Sequence, residues 1–360
     1  MAAPGSEGRE TTSLLASARR YGPGVHVVTF AAGPLSFPLT PFDSADRVDL
    51  DVLRVHVEQQ VSAGAAAVFV ACGTGELPAL TPREHRDVVT TAVEVVDGRV
   101  PVVAGAGGGA GLARELVAQA AACGADGVLL FPPYLVTSTT AGLLGYVRFA
   151  AAGADLPVIV YQRSTAVFPP PVVSDLLDIP TVVGLKDGRG DVDALQRLVT
   201  TVRTSGHPKA ATFHFLNGMP TAEISAAAYR AIGVEHYSSA VHNFAPDLAQ
   251  AFYRALVTGD EGTVQTLLRV FYLPFADLRD QVPGYAVALV KAGARLAGLP
   301  VGGVRPPLVD PDPAHVDKLS ELLSTARAEL AALAAGSTPI GGTPIGSVPV
   351  GSRETPRGSA

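Results

Sequence analysis

Short apolar runs alternate along this chain with longer segments whose apolar positions recur at helical spacing. The first kind reads as buried strand and the second as amphipathic helix. Residues 1–34 form a small-residue, polar lead, and a strand is predicted at 35–40. Helical spacing over 49–62 (Leu50, Leu53, Val57, Val61) leads into a strand at 66–70. Thr81-Pro82-Arg83-Glu84 then spells a helix start, with Thr81 as cap, Pro82 at the first helical position and Glu84 reaching back. The same beat predicts strands at 100–104, 127–131, 157–161, 182–186, 212–216 and 234–240. Helices fall between them at 112–122, 142–152, 172–177, 191–204 and 222–231.

These strands do not alternate in polarity, as expected where helices cover both faces. Eight of them within residues 35–245 predict an α/β fold, a (β/α)8 TIM barrel. A doubly wound sheet is the rival, but it more often carries fewer strands. After residue 245 the strand pattern stops, and 248–256, 261–271, 286–297 and 314–334 read as a small C-terminal helical extension spanning 246–335. Residues 336–360 are Gly, Pro, Ser and Thr with a near repeat, which predicts a disordered tail.

Composition narrows the class. The 360 residues are 48% hydrophobic with a net charge of −6, enough for one large domain or two small ones with a substantial core. An acidic balance argues against nucleic-acid and membrane-surface partners. No apolar run has the length of a membrane span and no signal segment is legible, so a cytoplasmic protein is expected. Cys72 and Cys123 are isolated within apolar segments, which predicts neither disulfide nor thiolate site. The histidines are scattered, with no pair at ligand spacing beside a strand-end carboxylate, so no metal is expected. The run 105–110, Gly-Ala-Gly-Gly-Gly-Ala, fits the loose dinucleotide pattern. Asp126, however, precedes the next strand instead of ending it, and the run lies in the third strand–helix unit. No nicotinamide or other cofactor is expected.

Barrel chemistry gathers at the C-terminal ends of strands. Here those ends carry Gly73-Thr74-Gly75-Glu76, Pro132-Pro133-Tyr134, Tyr161-Gln162-Arg163, Lys186, Asn217-Gly218 and Ser238-Ser239. Lysine occurs only at Lys186, Lys209, Lys291 and Lys318, arginine supplying the remaining positive charge. Lys209 lies in a polar loop and Lys318 in a polar helix, and Lys291 reads as an amphipathic-helix residue. Lys186 ends an apolar run just before a turn rich in Gly and Asp. Burial favours the neutral amine, the nucleophile of Schiff-base chemistry; the bland alternative is a surface lysine past a strand end. Tyr161, on the adjacent strand, is placed to shuttle protons at such an imine, or merely to pack. Gly73-Thr74-Gly75 offers backbone N–H groups and a hydroxyl suited to a carboxylate, or is an ordinary turn.

Leu39-Thr40-Pro41-Phe42, Gly73-Thr74-Gly75-Glu76, Pro132-Pro133-Tyr134, Tyr161 and Gly184-Leu185-Lys186-Asp187 together resemble the dihydrodipicolinate synthase/N-acetylneuraminate lyase superfamily of Schiff-base barrels. The stretches 35–38, 161–163, 186–191, 218–223, 237–241, 283–287 and 290–293 are similar to its 5-dehydro-4-deoxyglucarate dehydratase branch. The resemblance implies Lys186 as Schiff-base lysine, and Tyr161 with Thr74 as proton-transfer groups. Gly73 and Thr74 would bind a keto-acid carboxylate, with Gly218 and Ser239 at the same substrate site. Arg163 would anchor a distal carboxylate, or else form a rim salt bridge.

The departures are Cys72-Gly73-Thr74-Gly75-Glu76 in place of Gly-Thr-Thr-Gly-Glu, which removes one threonine hydroxyl from the relay, Leu135 for the second of two tyrosines, and Ala166 for an arginine. Aldol condensation with aspartate semialdehyde is therefore not implied. The implied activity is dehydration and decarboxylation of a keto-deoxy sugar diacid to 2,5-dioxopentanoate, CO2 and water, without a cofactor. Retro-aldol release of pyruvate, a non-catalytic keto-acid sensor and a purely structural role are the alternatives. A homo-oligomer, tetramer or dimer, is the implied assembly.

Overall fold

The computed structural model describes residues 27–336. Parallel strands follow one another around a closed barrel in chain order: β1 (Leu35–Ser36), β2 (Ala67–Val70), β3 (Val102–Gly108), β4 (Gly127–Pro133), β5 (Val158–Gln162), β6 (Val182–Asp187), β7 (His214–Asn217) and β8 (His236–Ser239). The intervening helices are α1 (Leu50–Ser62), α2 (Pro82–Val96), α3 (Ala110–Ala122), α4 (Thr140–Ala151), α5 (Pro170–Leu177), α6 (Val192–Arg203) and α7 (Glu223–Ala231). Leu35 pairs with Ala67 on one side and Ser238 on the other, which closes the ring. The expected α/β (β/α)8 barrel is the observed fold. Asp49 caps α1 by accepting from Val52 N–H, and the Thr81–Glu84 capping box is formed at α2.

β1 has two residues instead of the run predicted at 35–40. Pro38 has no N–H to give a ladder, so pairing stops before it. A second difference concerns the glycine run after residue 104. Gly105 to Gly108 belong to β3, because their lack of side chains lets neighbouring strands close in. A Cβ at Gly105 would lie 2.1 Å from the Ala71 carbonyl oxygen, and one at Gly107 2.7 Å from Phe131 Cβ. These glycines serve packing inside the barrel wall, not a phosphate loop.

Beyond β8 come α8 (Pro246–Thr258), α9 (Glu261–Leu267), α10 (Leu273–Asp280), α11 (Tyr285–Leu296) and α12 (Pro313–Ala334). The single helix predicted at 261–271 in fact runs on as helix to Asp280, through a π-helical turn at Leu268–Tyr272. Pro274 offers no N–H to the preceding turn, and a widened turn accommodates it.

Two apolar layers result. Phe37, Phe69, Leu129, Ile159 and Leu216 fill the barrel interior, while a larger cluster lies between strands and helices. The C-terminal helices form a further cluster that takes in Leu39 and Tyr237 of the barrel. No helix among the described residues is long and apolar enough to cross a membrane. Most of the predicted lead and all but the first residue of the predicted tail lie outside the described residues.

Candidate active site

Lys186 reaches the barrel interior through an irregularity in its strand. The β5–β6 register runs Val158↔Val182 and then Ile159↔Gly184, so β6 carries one extra residue. Such a bulge reverses the inside–outside phase of everything after it. Val182 and Leu185 pack outward under the helices while Val183 packs inward. Lys186, paired with Tyr161, therefore turns inward as well. Gly184 permits the irregularity, since a Cβ there would stand 2.8 Å from the His214 carbonyl oxygen.

The Lys186 amine sits 4.1 Å from the centre of the Tyr161 ring and 4.8 Å from that of Phe37. It is 5% exposed and makes no hydrogen bond or ion pair among the described residues. Tyr161 donates its hydroxyl proton to the Gly218 carbonyl oxygen at 3.0 Å. Both side chains line a cavity of about 250 Å³ at the C-terminal ends of the strands. Gly73, Thr74, Arg163 and Gly218 line it too, so six of the sequence-predicted site residues meet there. Thr74 does not bond the phenol, whose proton goes to Gly218.

Two glycines keep the space around these groups clear. A Cβ on Gly218 would lie 2.8 Å from Lys186 Nζ, and one on Gly188 2.8 Å from the Tyr161 hydroxyl. Four strand-end loops also hold non-glycine residues at positive φ: Ala71, Leu135, Ser164 and Thr221. Strained backbone of this kind collects where a rigid scaffold presents functional groups.

Ser239 is not part of the cavity wall. It is fully buried and donates to Glu223 Oε1 at 2.6 Å, while its neighbour Ser238 lines the cavity. Strand alternation explains the exchange: adjacent residues face opposite sides. Asp187, next to Lys186, likewise faces away. Its carboxylate accepts from Gln162 Nε2 at 2.7 Å, the Tyr229 hydroxyl at 2.5 Å and Gly190 N–H at 3.2 Å, which ties β5, β6 and α7 together. Cys72 is buried beneath the loop, and burial pushes its thiol up to about 12. Tyr134 and Leu135 stand out from the rim, 71% and 86% exposed.

Lys291 lies on the buried face of α11. It is fully buried, 2.7 Å from Glu76 Oε1 and donating to the Gly303 carbonyl at 2.6 Å. Burial lowers its pKa against the pull of Glu76. Glu76 in turn accepts from Arg305 N–H at 3.0 Å. This pair fastens the Gly73–Glu76 loop to the C-terminal helices.

Sequence reasoning missed the contribution of those helices to the cavity. Phe275, Arg279, Val287, Val290 and Leu308 form its outer wall. Val287 and Val290 fall in stretches that the resemblance singled out without giving them a role, and nothing local distinguishes Phe275 or Arg279, because helical spacing marks a buried face without saying what lies across it. Among the described residues no cluster of three or more His, Cys, Asp or Glu stands ready to hold a metal.

The dihydrodipicolinate synthetase family model matches residues 31–326. A Streptomyces griseus protein named as a probable 5-dehydro-4-deoxyglucarate dehydratase is 54% identical, over 84% of this chain and 94% of its own. A Rhizobium rhizogenes protein of the same name is 42% identical, over 82% of this chain and 96% of its own. Among solved structures, dihydrodipicolinate synthase from Oceanobacillus iheyensis is similar with a TM-score of 0.75 at 28% identity, covering 83% of this chain and 97% of that one. An E. coli prophage protein of the dihydrodipicolinic acid synthase family, solved with pyruvate, has a TM-score of 0.73 at 26% identity, covering 82% of this chain and 99% of that one.

Proposed function

We propose, from the premise that this chain belongs to the dihydrodipicolinate synthetase family, that it dehydrates and decarboxylates 5-dehydro-4-deoxyglucarate through an imine on Lys186. The unpaired Lys186 amine, held between two aromatic rings at the base of a cavity, carries this reading. The names of the relatives at 54% and 42% identity supply the substrate.

In this reading Gly73 and Thr74 hold the carboxylate beside the ketone, and Lys186 condenses with the C5 carbonyl, releasing water. The iminium acidifies the C4 proton. Loss of that proton and of the C3 hydroxyl leaves a double bond conjugated to the iminium. Cleavage of the C1–C2 bond then sends its electron pair through that double bond to nitrogen, and C1 leaves as CO2. Protonation, tautomerisation of the C2 enol to an aldehyde and hydrolysis of the imine give 2,5-dioxopentanoate and restore the amine. The sum consumes one proton and yields one CO2 and one water. Tyr161 carries the protons next to the imine and Thr74, which lines the same cavity, assists; the iminium itself is the electron sink. Self-association into a dimer or tetramer and a cytoplasmic location belong to the same proposal.

The test is turnover of purified protein with 5-dehydro-4-deoxyglucarate, following CO2 and aldehyde. Release of pyruvate in place of CO2 would mean retro-aldol cleavage, and binding without turnover would mean a sensor.

A further inference from the structure

A six-carbon diacid brings a second carboxylate into the cavity, and three basic residues line it: Lys186, Arg163 and Arg279. The first is consumed as the imine. Arg163 is exposed, and its guanidinium has no partner among the described residues. A long mobile side chain loses rotamer freedom when it is recruited to a ligand.

Arg279 is already fixed. Its side chain is 13% exposed. Nε and Nη2 donate to the two oxygens of Asp280 at 2.7 and 2.8 Å, and Nη1 donates to Thr221 Oγ1 at 2.6 Å. A guanidinium has five N–H groups, so one on each terminal nitrogen is left over from Asp280 and Thr221 and can donate to a carboxylate in the cavity that Arg279 lines. Asp280 is 66% exposed, and a partner so well solvated cancels little of the charge. Thr221 holds its end of the arrangement at φ +52° while 5% exposed. A β-branched residue in that conformation is strained, and the strain aims its hydroxyl at Arg279.

We propose that Arg279 binds the substrate's distal carboxylate and thereby selects diacids over monoacids; this rests on the reading given under Proposed function. Two fixed points, the imine and the guanidinium, span the reacting carbons. They hold the C1–C2 bond in one orientation to the conjugated system that receives its electrons. Once C1 departs as neutral CO2, the interaction with Arg279 ends.

The experiment measures the ligand concentration that half-saturates borohydride trapping on Lys186. One ligand is 5-dehydro-4-deoxyglucarate; the other carries CH2OH in place of the distal carboxylate. Arg279→Met should raise the diacid value about 30-fold or more, in line with loss of two charge-assisted hydrogen bonds, and leave the analogue's value unchanged. Arg163→Met, which alters the same cavity wall, should leave the ratio of the diacid value to the analogue value as it is in the parent. Unchanged diacid trapping in Arg279→Met, or the loss appearing in Arg163→Met instead, overturns the assignment. If Arg279→Met traps neither ligand, Arg279→Lys decides. A shift confined to the diacid supports the anchor, and an unchanged value rejects it. Wild-type protein that traps the diacid on Lys186 but releases no CO2 would sink the proposed reaction while leaving the anchor standing.

Discussion

Tyr161 and Lys186 face each other across the β5–β6 ladder, and the amine stands 4.1 Å from the centre of the phenol ring. The ring covers the amine while the hydroxyl is held by the Gly218 carbonyl at 3.0 Å. An imine formed at Lys186 would thus have a proton carrier beside it whose position is set by the backbone. Lys186→Ala should abolish both borohydride trapping and turnover. Tyr161→Phe keeps the ring and should lower kcat by roughly 10²–10⁴-fold with a smaller change in KM. Steady-state kinetics check this, and full activity in Tyr161→Phe would remove the phenol from the mechanism.

The space kept by two glycines makes a second prediction. Gly218→Ala would put a methyl 2.8 Å from Lys186 Nζ and also 2.8 Å from the Asp187 carbonyl oxygen. Gly188→Ala would press on the Tyr161 hydroxyl at the same distance. Small displacements of reacting groups cost about 10²-fold in rate. Each variant should show a loss of that order in kcat with the circular dichroism spectrum of the parent.

The Glu76–Lys291 pair should matter more to stability than any surface pair. Breaking a buried pair strands the remaining charge, at about 3–5 kcal/mol. Lys291→Met should therefore lower the denaturation midpoint sharply. Adding Glu76→Gln removes the stranded charge and should recover part of the loss. The Gly73–Glu76 loop is fastened by this pair, so KM should rise in both. Equal stability of single and double variants would contradict the coupling.

Stability should respond to pH through buried groups of opposite sign. Burial pushes His56, His236 and His242 down to about 4, from 6.5. Their contribution is complete above 6.5 and lost as pH falls towards 4, at roughly 1.4 kcal/mol per pH unit for each proton taken up on unfolding. Burial pushes Glu223 up to about 7, from 4.5. Its folded-state proton favours folding below 4.5, and that advantage disappears as pH rises through 7. Glu223→Gln keeps the acceptor for Ser239 but cannot ionise. Relative to the parent it should gain about 2 kcal/mol more at pH 8 than at pH 5, read from urea midpoints at the two values.

Much of this architecture was written in local pattern. Unalternating apolar runs, separated by helical spacing, predicted the barrel because buried parallel strands need apolar side chains on both faces. The chemistry at strand ends was legible in the same way: Gly73, Thr74, Tyr161, Arg163, Lys186 and Gly218 all line one cavity. Ser239 was misassigned, since choosing between Ser238 and Ser239 depends on strand phase, which a single residue of register reverses. Lys291 lies in a helix as its spacing predicted, but its ion pair was not legible, because Glu76 is far away in the chain and helical spacing records burial without recording what is buried against it.

Residue type and order along the chain therefore determined the fold class, the strand ends and the presence of a lysine and a tyrosine on neighbouring strands. Three-dimensional closure decided the rest. An extra residue in β6 turned Lys186 inward, and the glycines of β3 became wall rather than loop. α10, outside the barrel, brought Arg279 to the cavity. Each depends on contacts between segments distant in sequence, and such contacts leave no periodic trace in the segments that make them.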